Sequence, residues 1–151
     1  MEGVATVRRA TVADVGLVAP LFDSYRHFYG CAPDLDAAGR FLRDRLGRGE
    51  SVVFVAVVEG KGVGFVQLYP TFTSIGAKRA WILNDLYVAP DARRRGVGRA
   101  LMDAARQMAE ETGAAWLELA TAKDNERARA LYRGCGYRLD DGYDRFKLTL
   151  K

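Results

Sequence analysis

Apolar residues recur along this chain at two periods, and the switches between them mark out its elements. Residues 6–9 (TVRR) predict a short first strand. Thr11 reads as a helix N-cap, and Val15, Val18, Ala19 and Phe22 follow at helical spacing, giving a first helix to about Tyr29 that Pro33 breaks. Leu35, Phe41, Leu42 and Leu46 place a second helix over residues 36–46, ended by Gly47 and Gly49. Residues 51–58 (SVVFVAVV) are dense in β-branched side chains and predict a strand. A turn at 59–62 leads into a returning strand at 63–69, so the pair reads as a hairpin. Residues 70–78 read as a loop and 79–88 (RAWILNDLYV) as a strand stopped by Pro90 and Asp91. Leu101, Met102, Ala105, Met108 and Ala109 share one face of a helix expected over 98–112, which Gly113 ends. A strand at 115–120 and a short helix at 125–133 follow, the latter with Ala128, Leu131 and Tyr132 on one face and closed by Gly134 and Gly136. A strand begins at 137–139, and Phe146, Leu148 and Leu150 alternate in a half-exposed last strand at 145–150.

An antiparallel meander followed by strand–helix–strand–helix–strand argues for a mixed α/β fold. We expect one domain over 1–151, with a mostly antiparallel mixed sheet of about six to seven strands and helices on both faces. The 151 residues are enough for one core and short for two. There is no internal repeat, low-complexity tract or linker.

Charge narrows the partners only slightly. The 23 basic residues exceed the 19 acidic ones, and all but five are arginine, the better residue for bidentate phosphate contacts. The excess fits a polyanionic ligand. It does not make a nucleic-acid binder, because the basic residues concentrate at one glycine turn and no nucleic-acid motif accompanies them. Cys31 and Cys135 supply neither a disulfide framework nor a zinc set, so no metal is expected. The first residues lack a basic-then-apolar signal, and no apolar run reaches membrane-spanning length, so a cytoplasmic protein is expected.

The most informative stretch runs from Leu86 to Leu101 (LYVAPDARRRGVGRAL). A strand ends, a basic turn follows, and a helix starts. Gly96 and Gly98 allow a tight turn and a close approach of backbone to ligand. The first N–H groups of the helix and its dipole then make an anion site, with Arg93, Arg94, Arg95 and Arg99 around it. It is neither a P-loop nor a dinucleotide fingerprint, since the lysine of the first and the third glycine of the second are missing.

Arg93-x-x-Gly96-x-Gly98 after a strand ending Leu86-Tyr87-Val88 resembles the acetyl-CoA motif of the GNAT N-acetyltransferase superfamily. Asn125, Ala128, Leu131-Tyr132 and Gly136-Tyr137 resemble the family's later motif, in the right order and spacing. The two cover residues 80–139. Residues 65–69 and 81–88 further resemble the diamine and histone/polyamine branch.

The resemblance implies roles. The backbone of Leu86, Tyr87 and Val88 would pair with the pantetheine arm of acetyl-CoA and orient its thioester. Arg93, Arg94, Arg95, Gly96, Val97, Gly98 and Arg99 would hold the pyrophosphate, and Asn125 and Ala128 would contact the cofactor. Tyr132 would protonate the departing thiolate; a phenol near pKa ~10 suits a thiol near ~8.5. The incoming amine must lose a proton, and Asp85, a charge in an apolar strand, is the candidate acceptor. Many family members carry Glu where this chain has Asn84, so water on Asn84, a backbone carbonyl, or simple pairing of Asp85 with an arginine stay open. Asp34, Asp36, Asp140, Asp141 and Asp144 offer charge for a cationic acceptor, and Tyr25, His27, Phe28 and Tyr29 offer an acceptor wall; from the residues alone, solvated loop charges and core aromatics are the commoner explanation of both sets. The expectation is acetyl transfer to a primary amine, a polyamine or other small amino compound or a lysine side chain, by a homodimer paired through its C-terminal strands. A non-catalytic acyl-CoA-binding regulatory module is the alternative.

Overall fold

The computed structural model describes residues 3–150, which fall into two compact units, residues 3–120 and 121–150. The first is a five-stranded sheet in the order β1-β2-β3-β4-β5, built from β1 (Thr6–Arg9), β2 (Val52–Val58), β3 (Lys61–Thr73), β4 (Lys78–Val88) and β5 (Leu117–Glu118). All neighbours are antiparallel except β4 and β5. Its helices are α1 (Val15–Phe28), α2 (Leu35–Gly47) and α3 (Val97–Glu111).

Helices cover both faces of this sheet. Val53, Val55 and Phe65 point to one side and join Val18, Leu21, Phe22, Ala38 and Leu42 of α1 and α2 in a continuous core. On the opposite side α3 buries Val97, Leu101, Met102, Ala105 and Met108. Each such large apolar side chain contributes roughly 1.5–3 kcal/mol by leaving water.

Local chemistry sets the boundaries. Thr11 forms a capping box with Asp14, accepting from Ala13 N–H at 3.2 Å while Asp14 accepts from Thr11 N–H at 2.8 Å. A 3-10 turn at Val12–Asp14 precedes α1. Asp34 caps α2 by accepting from Ala37 N–H. Glu59 and Gly60, both at positive φ (51° and 78°), make the two-residue turn between β2 and β3.

The structure corrects the sequence reading at three places. Residues 70–78 are not a loop: β3 runs on to Thr73 and β4 starts at Lys78. Pro70 fits in a strand because β2 stops pairing at Leu68, and Trp81 opposite Pro70 turns its own N–H away to Trp116 O. The missing proline N–H therefore falls on an unpaired edge. The strand expected at 115–120 shrinks to two residues, because β5 meets β4 only at Trp81 and Ile82. The strands expected at 137–139 and 145–150 do not form among the described residues, so the sheet has five strands and not six to seven. Alternation alone does not make a strand; it needs a ladder partner, and residues 145–150 are exposed and unpaired in any sheet.

The second unit holds α4 (Glu126–Gly134), after which the chain is irregular. Gly136 at φ 92° terminates it, and Tyr137 N–H reaches back to Tyr132 O at 3.0 Å.

Candidate active site

Two irregularities in the sheet create the site of the first unit. The first is a bulge in β4 at Asn84: Gln67 pairs with Asp85, but the next residue of β3, Leu68, pairs with Leu83. The extra residue reverses the alternation, so Ile82 and Asp85 share a face although three positions apart. That face is the α1 side, where Phe65 and Tyr87 also pair. Without the bulge Asp85 would point into the apolar packing beneath α3.

Asp85 is 6% exposed and forms no ion pair among the described residues. Its two oxygens accept amide donors instead, Gln67 Nε2 at 2.9 Å and Asn84 Nδ2 at 3.1 Å. The Oε1 of fully buried Gln67 has no partner. Tyr25 of α1 reaches the carbonyl of Asn84 at 3.5 Å and packs edge-on against Phe65 and Tyr87. Burial, with the nearby Asp85 charge as a lesser cause, pushes the Tyr69 phenol up to about 12.

The second irregularity is the early end of the pairing between β4 and β5. Beyond Ile82 no strand among the described residues pairs with β4 on that side, so residues 83–88 present a free edge. Ala89 N–H bonds back to Val63 O of β3, and the carbonyl of Val88 faces the other way, where it accepts Arg93 Nε at 2.9 Å.

The free edge runs directly into the basic turn. Arg94 and Gly96 adopt left-handed backbone (φ 65° and 76°), and α3 starts at Val97. Gly96 is the N-cap and supplies no capping side chain; the first helical bond is Ala100 N–H to Gly96 O. The amides of Val97, Gly98 and Arg99 thus precede the hydrogen-bond ladder of α3 and are disposed for an anion. Arg94, Arg95 and Arg99 are exposed around them. A left-handed arginine costs about 1 kcal/mol, the kind of strain that collects at ligand-binding turns.

A cavity of about 430 Å³ opens on the α1 side next to this turn, lined by Asp23, Ser24, His27, Phe28, Pro33, Tyr87, Pro90 and Arg93. It holds two of the aromatic or imidazole residues singled out in the sequence, His27 and Phe28. Tyr25 packs against the sheet instead, and Tyr29 against Tyr25.

In the second unit, Asn125, Ala128 and Tyr132 lie one above another on α4, at i, i+3 and i+7. Asn125 caps its own helix by accepting from Ala128 N–H at 3.3 Å. The ring of Tyr132 lies 6.3 Å from that of Tyr137. Of the aspartates considered for a cationic acceptor, Asp34 is a helix cap and Asp140 accepts from Gly142 N–H, while Asp36, Asp141 and Asp144 are exposed. Sequence reasoning passed over Gln67 and Asp23. A polar residue inside the apolar run VGFVQLY was the available signal for Gln67.

Comparison with known proteins gives this geometry a context. The acetyltransferase (GNAT) family profile matches residues 18–137. The N-acetyltransferase YhfO of Bacillus subtilis is 45% identical over 144 residues, 95% of this chain and 97% of that protein. An aminoglycoside N(6')-acetyltransferase type 1 of Stenotrophomonas maltophilia is 28% identical over 150 residues, 97% of this chain and 94% of that protein. The crystal structure of a probable acetyltransferase superposes with a TM-score of 0.92 at 41% identity, covering 97% of this chain and 98% of that one. An unpaired β4 edge beside a glycine turn, met by relatives of this closeness along nearly the whole chain, leads to one conclusion: the protein belongs to the GNAT family and is an N-acetyltransferase.

Proposed function

We propose that the protein moves an acetyl group from acetyl-CoA to a primary amine by direct attack, with no covalent acetyl-enzyme. The observation that carries this reading is the free edge of β4 running into an uncapped helix start ringed by arginine. Backbone groups of Leu86, Tyr87 and Val88 pair with the pantetheine amides and orient the thioester carbonyl. Backbone N–H groups of residues 94–99 hold the pyrophosphate, with the charge of Arg94, Arg95 and Arg99, while Arg93 opens the turn. Asn125 and Ala128 contact the cofactor, as the resemblance of their motif implies.

The amine nitrogen attacks the thioester carbon and gives its proton to Asp85; the C–S bond breaks, and Tyr132 protonates the sulfur. Asp85 suits its part because its oxygens are fixed by two amides and it forms no ion pair among the described residues. The acceptor enters by the cavity beside α1, whose inner wall, Tyr87, is two residues from Asp85 on the same face of β4. The relative named an aminoglycoside N(6')-acetyltransferase supports a small amino compound. We also read the working form as a cytoplasmic homodimer, which light scattering tests.

The test is release of coenzyme A thiol from acetyl-CoA across a panel of amines, with mass detection of the product. We expect acetylated product with at least one primary amine and a fall of about 10²-fold in kcat for Tyr132→Phe. Rates within twofold of the parent would remove Tyr132 from the mechanism.

A further inference from the structure

The cavity beside α1 carries fixed charges of both signs. Asp23 is anchored by accepting Asp34 N–H on Oδ1 at 2.8 Å. Arg93 is anchored through Nε on Val88 O, with its guanidinium 5.8 Å from the centre of the Tyr87 ring. This turns the arginine onto the α1 side of the sheet. Its bond to Val88 uses one of five N–H donors, and the fork of terminal nitrogens forms no ion pair among the described residues. His27 completes the cavity. Its Nδ1 lies 3.1 Å from the Cys31 carbonyl, which can only accept, so Nδ1 donates that hydrogen bond. Phe28 and Tyr87 supply apolar walls, and Ser24 a hydroxyl.

We propose that Arg93 is a specificity-determining residue which reads a carboxylate on the acceptor, so that the preferred acceptors carry both an amine and a carboxylate. A planar guanidinium held at Nε presents its other nitrogens to a carboxylate as a fork. Asp23 is an acceptor for N–H groups of the same molecule, which a simple carboxylic acid would leave unused. The proposal rests on the acetyl-transfer reading, since it concerns the acceptor of that reaction.

The test compares acceptors that differ only in the carboxylate: lysine against 1,5-diaminopentane, and phenylalanine against phenethylamine. We expect kcat/KM to favour the carboxylate-bearing partner by about 10- to 100-fold, the usual worth of a charged hydrogen-bonded contact. Arg93→Met should erase that ratio and Arg93→Lys should keep part of it. A ratio is read, so a general loss of activity or cofactor affinity in the variants does not mimic the effect. Equal rates for the two partners, or a ratio unmoved in Arg93→Met, would overturn the proposal and leave acetyl transfer standing. If no amine is turned over, the acetyl-transfer reading fails, and the arginine is then tested by following its Nε–H resonance on titration with lysine and with 1,5-diaminopentane. A shift with lysine alone supports carboxylate recognition, and the same response to both refutes it.

Discussion

Tyr69 and Gln67 stand two positions apart on β3 and share the face of the sheet that carries Asp85. The phenol is pushed up to about 12, first by burial and then by the Asp85 charge, against an ordinary value of 10.0. The unfolded chain ionises this group before the folded one does, so the folded state loses ground as pH rises from 10.0 through about 12. We expect ultraviolet titration to show a tyrosine ionising late, near pH 12, which Tyr69→Phe removes. An unchanged titration would mean that the ring is solvated. Asp14 has the opposite sign. Its bond with Arg8, then the Thr11 N–H, hold its carboxyl below the usual range. That contribution is present above the ordinary carboxylate pKa and fades as pH falls through the lowered one.

At the scale of elements, two glycines in β3 sit where the backbone of a neighbouring helix or strand comes close. A Cβ on Gly62 would stand 2.8 Å from the Leu17 carbonyl of α1, and one on Gly64 would stand 3.0 Å from the Tyr87 carbonyl. Both obstacles are backbone and cannot swing away. Gly62→Ala should therefore cost about 1–3 kcal/mol, read as a lower urea midpoint. Gly47→Ala, with open space around its Cβ, is the control and should cost nothing. The same scale separates what the sequence discloses from what it withholds. The Thr11 cap, the α3 face and the glycine turn are local, and residue order alone marks them. The bulge at Asn84 is not local, because only the register against Gln67 and Leu68 reveals that Asp85 faces α1. Pro70 looked like a strand breaker because tolerance of proline depends on which edge is paired. Phe146, Leu148 and Leu150 have the right period for a strand, but no strand among the described residues pairs with them.

At the scale of the whole molecule, a formal charge of +4 is not spread evenly. Arg94, Arg95 and Arg99 fall within six consecutive residues around a helix start, so a polyanionic cosubstrate meets a concentrated field. Raising salt from about 50 mM to 500 mM shortens the screening length severalfold. KM for acetyl-CoA should then rise roughly three- to tenfold at saturating amine, and Arg94→Ala with Arg99→Ala should flatten the dependence. A salt-independent KM would assign binding to the backbone amides alone.

The free flank of β4 has a meaning beyond catalysis. Unpaired strand edges are templates for self-association, and natural sheets usually cover or charge theirs. Residues 83–88 carry one charge, Asp85, which is turned inward, and one exposed polar side chain, Asn84, which is poor protection against a neighbouring chain. A pantetheine arm seated there would act as the missing strand, and its occupancy would raise the unfolding temperature by mass action. Coenzyme A in the lysis and storage buffers thus becomes a question of shelf life as much as of turnover: the empty protein is the one expected to precipitate.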